Sequence, residues 1–234
     1  MTKPVCLYVL PPSHFCERAR WGLDHAGVRY AEEAWAVGPH LVRARRVAPK
    51  TSLPILVAGS QVIQGSGHIL DWAGLANSDA DVERRFVTKI GPLVRRYIYS
   101  ATLSDSASNI REILLSGVPG LQGALGRLMW PITRRLMISA MDARPERLPI
   151  LETRLSAELD WFDGLAGERR YLVGNNFSRT DITAASLLAP LARPAACPLY
   201  QKDALVPRLE DMLARWGERP SLRWVERVYT QHRH

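Results

Sequence analysis

Strand-forming and helix-forming patterns are segregated along this chain, and that segregation limits the folds open to it. Before about Asp79, short apolar runs alternate with amphipathic pieces; after it, strand signals stop. Val5-Cys6-Leu7-Tyr8-Val9-Leu10 is a continuous apolar run ended by Pro11-Pro12, the pattern of a buried strand. From about His14, the residues Phe15, Ala19, Leu23 and Ala26 recur at helical spacing, and Gly27 is a natural stop. Arg18, Arg20 and Asp24 are expected on the wet side of that helix. Val28 to Trp35 is strand-like, and Pro39 opens a second helix rich in Arg43, Arg45 and Arg46. Leu53 to Val57 and Gln61 to Gln64 flank Ala58-Gly59-Ser60 as a hairpin, and Ser66 starts a helix carrying Ile69, Leu70 and Trp72. Long amphipathic stretches follow at Val82 to Ala107, Ile150 to Leu165, Asp181 to Leu191 and Val206 to Trp216, punctuated near Gly117-Val-Pro-Gly120 and Pro145. The expected fold class is α/β followed by all-α, with domains over 1–77 and 84–234.

A length of 234 residues suits two small domains. Hydrophobic residues at 47% against 23% charged exclude global disorder. Thirty-one Lys and Arg against 23 Asp and Glu leave a net charge of +8, which favours anionic partners without choosing among them. Cys6, Cys16 and Cys197 are too few and too scattered for a disulfide framework. No Cys or His spacing suits zinc, so no metal is expected. The first apolar run is shorter than the ~7–15 residues of a signal-peptide core, and nothing approaches the ~18 of a membrane span. A reducing, cytoplasmic setting is the expectation.

Four places could carry chemistry. Ser13-His14-Phe15-Cys16 sits at a strand-to-helix corner, where unpaired N–H groups and a partial positive charge favour an anion. Ser13 can cap the helix there, or its hydroxyl can hydrogen-bond a ligand's thiolate and lower that thiol's pKa. With one cysteine at the corner, a dithiol cycle is excluded; Cys16 reads as a small buried hydrophobe. Leu53-Pro54 opens a strand, and a cis bond there would turn the Leu53 backbone toward a ligand. Gln64-Gly65-Ser66-Gly67 is either a plain turn with a cap or a carboxylate-binding helix start. It lacks the third glycine of a nucleotide fingerprint. Ser178 and Asp181 form the S-x-x-D pattern of a capping box, with Phe177 and Ile182 as its staple, a structural device that starts a buried helix.

In order and spacing, these pieces resemble the glutathione transferase family over most of the chain. The matching segments are Ser13-His-Phe-Cys-Glu-Arg-Ala-Arg20, Ser52-Leu-Pro-Ile-Leu56, Gln64-Gly-Ser-Gly-His-Ile-Leu70 and Tyr171 to Ile182. The resemblance implies a thioredoxin-like N-terminal domain, a helical-bundle C-terminal domain and glutathione as co-substrate. It places Ser13 at the position that activates the glutathione thiol in serine- and cysteine-type members. Leu53 falls where the backbone pairs with the cysteinyl part, Pro54 on the cis-proline, and Ser66 on the serine that binds the γ-glutamyl carboxylate. It further implies a detoxifying transferase acting on alkyl or aryl electrophiles, and a homodimer. The electrophile pocket would be lined from Phe15, Tyr97 and Trp130, with Tyr99 and Met129 as further candidates.

Some positions depart from the family pattern. Gly65 stands where Glu or Gln is usual, so one side-chain contact to the γ-glutamyl group is absent. His68 replaces a small residue, His14 a frequent proline, and Ala48-Pro-Lys-Thr51 the usual lead-in to the strand. Lys50, Thr51 and His40 lie where contacts to the glycyl end could compensate. A non-catalytic ligand-binding or scaffold member of the fold is the competing reading. The basic, apolar stretch Gly126 to Met137 raises a membrane-surface reading. Pro131 interrupts it, and such patterning usually lies over a core, so neither membrane-surface contact nor nucleic acid is expected.

Overall fold

The structure is a computed structural model that describes residues 5–76, 78–105, 109–199 and 207–233. Those residues fall into two compact units. One comprises the chain up to Ala76 together with Arg111–Arg134; the other comprises the rest.

In the first unit, β1 (Val5–Val9), α1 (His14–His25), β2 (Ala31–Ala34), α2 (His40–Val47), β3 (Ile55–Ala58), β4 (Gln61–Gln64) and α3 (Ser66–Trp72) follow one another. The sheet order is β2-β1-β3-β4. β1 and β2 are parallel, while β3 is antiparallel to both β1 and β4. The central strands are apolar throughout because both of their faces are covered. Leu7, Val9 and Leu56 join Cys16, Ala19 and Leu23 of α1 and Ile69 of α3 on one face. Ile55 packs with Trp35 and Ala44 on the other face, where Tyr8 stacks on Trp35 at 4.5 Å. Successive residues Ile55 and Leu56 therefore serve opposite layers, as a strand period of two requires.

α6 (Ile110–Leu115) and α7 (Gly120–Leu128) were expected within a single C-terminal helical domain starting at 84, yet residues 111–134 cluster with the sheet. Gly126 permits this. A Cβ there would lie 2.7 Å from Leu115 Cδ2 and 3.1 Å from Ala36 Cβ, so any larger residue would make those side chains give way. α8 (Trp130–Met141) follows at once.

The second unit is helical: α4 (Ala80–Arg85), a π-helical turn at Phe86–Ile90, α5 (Gly91–Thr102), α9 (Leu148–Ala166), α10 (Arg179–Ala192), α11 (Pro207–Ala214) and α12 (Pro220–His232). A short 3₁₀ turn at Pro145–Arg147 precedes α9. The first amphipathic stretch is thus divided into α4, the π turn and α5. Its expected end at Ala107, the expected start of the last stretch at Val206, and the domain ends at residues 1, 77 and 234 lie outside the described residues. Among the described residues no helix is long and apolar enough to cross a membrane.

α10 is buried along almost its whole length. It starts on the predicted capping box: Asp181 accepts from the Ser178 amide at 2.8 Å, the Ser178 hydroxyl at 2.7 Å and the Leu172 amide at 2.8 Å. Burial raises the Asp181 carboxyl, and these donors oppose that shift. The Phe177 ring stacks on His232 at 4.1 Å. A buried ion pair joins α10 to α4, Arg179 donating to Glu83 Oε1 through Nε at 3.1 Å and Nη2 at 2.9 Å.

Two outcomes follow for stability. Asp181→Ala strands two amide donors inside the protein and should lower unfolding stability by about 2–4 kcal/mol in denaturant titration. A loss under 0.5 kcal/mol would mean the cap carries no weight. His40 accepts from the Gly38 amide through Nδ1 at 3.1 Å. Burial lowers its pKa to about 4, partly offset by a hydrogen bond to Ala36. The folded value lies below the unfolded one near 6.5, so this contribution is whole above pH 6.5 and lost as pH falls toward 4. Between pH 7 and 5 the wild type should lose about 2 kcal/mol more stability than His40→Gln.

Candidate functional site

The strand register brings three of the candidate motifs to one end of the sheet. Tyr8 of β1 faces Ile55 of β3, and Ile55 faces Gln64 of β4. β1 leaves the sheet at that end toward Ser13, β3 enters it there from Leu53-Pro54, and β4 leaves it there into Gly65-Ser66. Side-chain and backbone bonds tie the motifs together. The Gly65 amide donates to the Pro54 carbonyl at 2.9 Å. Gln64 Nε2 donates to the carbonyls of Lys50 at 2.7 Å and Ser52 at 2.8 Å, while its Oε1 accepts from the Lys50 amide at 3.0 Å. The Leu53-Pro54 bond is cis.

Ser13 is the N-cap of α1, its Oγ accepting from the Cys16 amide at 3.4 Å. The capping role of Ser13 does not exclude the other reading. A hydroxyl has two acceptor sites and one donor, so capping leaves the O–H able to donate to an anion. Cys16 is fully buried, and burial pushes its thiol up despite Arg20 and the Ser13 bond. It packs in the sheet core as the small hydrophobe the sequence suggested.

Ser66 begins α3 and is buried. Its Oγ accepts from Nη1 of Arg18 at 3.2 Å. The expectation that Arg18 and Arg20 lie on a wet face is corrected: they are 1% and 8% exposed. α1 packs against both the sheet and α3, so little of its surface meets water. Arg20 instead grips Glu32 of β2 through Nε at 2.6 Å and Nη2 at 3.0 Å. Arg18 thus places a guanidinium against the first residue of α3. No periodicity marks it; an arginine inside an amphipathic helix reads as solvated unless the covering element is known. The Gln64 brace was missed likewise, because Gln64 reads as the end of a strand.

Gly65 has φ +97° and ψ 140°, a region closed to side chains. The missing Glu or Gln is therefore matched by a backbone shape that suits glycine. Of the glycyl-end candidates, Lys50 gives both backbone groups to Gln64, and His40 is turned to Gly38. His68 is exposed, 3.7 Å from Asp71.

The proposed electrophile residues differ in setting. Phe15 is partly exposed, its ring 4.8 Å from His14, and Trp130 is partly exposed at the start of α8. Tyr97 is 0% exposed, packed on Trp216 at 5.0 Å in the second unit, with its hydroxyl pushed up to about 12 by burial. A side chain with no accessible surface cannot line an open pocket, so Tyr97 is a core residue. Among the described residues no cluster of three His, Cys, Asp or Glu side chains could hold a metal ion.

Residues 7–79 match the family described as "Glutathione S-transferase, N-terminal domain". No curated protein sequence matches. Several solved structures share the fold at low identity. A glutathione transferase, GSTFuA3, from Phanerochaete chrysosporium aligns with a TM-score of 0.66 at 10% identity, over 100% of this chain and 99% of that one. A theta class glutathione S-transferase from Xanthomonas axonopodis pv. citri, solved with glutathione bound, aligns with a TM-score of 0.59 at 16% identity, over 100% and 98%. The β-etherase LigF from Sphingobium sp. strain SYK-6 aligns with a TM-score of 0.58 at 16% identity, over 95% and 98%. Residues 7–79 thus match the glutathione S-transferase N-terminal domain, and the chain as a whole shares the fold of these solved structures.

Proposed function

We propose that this protein binds glutathione at the end of its sheet and transfers the thiolate to a hydrophobic electrophile, with Ser13 as the activating residue. The observation that carries the reading is the convergence of Ser13, Leu53-Pro54 and Ser66, with Arg18 buried against Ser66. The theta class structure from Xanthomonas, solved with glutathione bound, supports the choice of ligand.

Each residue then has a physical task. Ser66 and the buried Arg18 hold the γ-glutamyl carboxylate at the start of α3. The Leu53 backbone, at the entry to β3, pairs with the cysteinyl unit. Gly65 shapes the turn and offers no side chain. A thiol near pKa 8.5 is mostly protonated at neutral pH, and lowering it by two units needs ~2.7 kcal/mol. A hydroxyl donor to the anion contributes ~1.5–3 kcal/mol and the α1 dipole ~0.3–1 kcal/mol, which suffices. The sulfur lone pair forms a bond to the electrophilic carbon as the leaving group departs with its electron pair. No covalent enzyme intermediate is needed, and binding supplies the proximity. Phe15 and Trp130 are the remaining residues proposed to meet the electrophile. Small-molecule substrates and a homodimeric assembly complete the reading.

Calorimetric titration with glutathione, paired with conjugation assays, tests it. Ser66→Ala should weaken glutathione binding about tenfold or more, because it removes the hydroxyl proposed to hold the γ-glutamyl carboxylate. Ser13→Ala should keep most of the affinity but cut turnover by about 10- to 100-fold. Wild type that binds no glutathione would overturn the reading in favour of a scaffold member of the fold. Activity lost in Cys16→Ser but kept in Ser13→Ala would overturn the assignment of Ser13.

A further inference from the structure

α7 is an amphipathic helix turned the wrong way round for a core element. Its inward positions are glycines: Gly126 against Ala36 and Leu115, and Gly123 close to the Val118 carbonyl. Its outward positions are Leu121, Leu125 and Leu128, at the i, i+4, i+7 spacing of a single helix face. Leu121 is 87% exposed and Leu128 78%. The stripe continues into α8. Met129 keeps a right-handed backbone at φ −80° and ψ −4°, and the Thr133 amide donates to its carbonyl at 2.9 Å. Ile132 accordingly follows Leu128 by one turn and is 60% exposed, while Thr133 faces inward. Pro131 falls in the first turn of α8, where its missing N–H costs nothing. It starts a helix instead of breaking one. The expectation that these apolar residues lie over a core is therefore corrected.

The charge along this face has one sign. From 113 to 141 the chain has no Asp or Glu, and its three charged residues are Arg127, Arg134 and Arg135. Arg127 reaches back to Glu112 at 3.4 Å in an exposed pair. Leu136, also within this stretch, is 59% exposed, while the remaining large apolar residues exposed among the described residues, Leu41, Val42, Val62 and Ile150, lie outside it. Two copies of this chain meeting through this face would bring arginines together with no carboxylate contributed by residues 113–141. A surface of anionic headgroups over acyl chains complements both features: leucines enter the interfacial region and arginines meet the phosphates. We propose that the outward face of α7 and the start of α8 docks on an anionic bilayer surface.

Vesicle flotation of the whole protein tests this, using phosphatidylcholine alone and phosphatidylcholine with about a third phosphatidylglycerol. Binding to the anionic vesicles should exceed binding to neutral ones by about tenfold or more, and fall by a similar factor from about 0.05 to about 0.5 M salt. Leu121→Ser with Leu128→Ser should abolish it with the thermal midpoint and glutathione titration unchanged, since both side chains already face water. Arg135→Glu should weaken it without unfolding the protein. Equal affinity for both vesicle types, no binding to either, or full binding by the double leucine variant would overturn the proposal. So would sedimentation showing that the leucine variant dissolves a dimer while vesicle binding is absent.

Discussion

The pairing of β3 with β1 on one side and β4 on the other is the constraint on which the candidate site depends. Its register sets Tyr8, Ile55 and Gln64 in a row. A slip of one residue would reverse every side chain on β3, sending Leu56 to the layer of Trp35 and Ile55 to that of α1. The alternation of buried positions therefore fixes the register, and the register fixes where Leu53-Pro54 and Gly65-Ser66 meet the end of β1. The Gly65 amide and the Gln64 side chain lock that arrangement by bonding to Pro54, Lys50 and Ser52. Core packing and ligand geometry are in this sense one problem.

Buried charge is the second theme. Arg18, Glu83, Arg179 and Asp181 are all nearly or fully buried. Each gains a hydrogen-bonded partner: Ser66 for Arg18, Glu83 for Arg179, and Leu172 and Ser178 for Asp181. Removing one partner from such a set costs more than the bond itself, because the other charge remains out of water. Two of these groups organise a helix start in the second unit. Arg18 differs in that it reaches a hydroxyl at the candidate site, Ser66 at the start of α3.

Local signals made much of this legible. The Val5–Val9 run, the hairpin at Gly59 and the Ser178/Asp181 box are short-range patterns whose meaning is settled within a few residues, and each appears as expected. The failures were long-range. Arg18 and Arg20 read as solvated because the sequence does not show that α3 and β2 cover their sides of α1. Tyr97 read as a pocket residue because nothing near it in the chain announces Trp216. The close approach of α7 at Gly126 involves Ala36, which is distant in the sequence. Gly65 lacks the side chain usual at its position, and its backbone conformation admits glycine and strains any other residue.

The central claim is that one end of this sheet is a glutathione site organised by Ser66 and Ser13. A crystal structure of the protein with glutathione bound tests it most directly. The account predicts the γ-glutamyl carboxylate within hydrogen-bond distance of Ser66, the cysteinyl backbone paired with Leu53, and the sulfur facing the Ser13 hydroxyl. Glutathione bound elsewhere on the chain, or at this end with its sulfur turned away from Ser13, would contradict it.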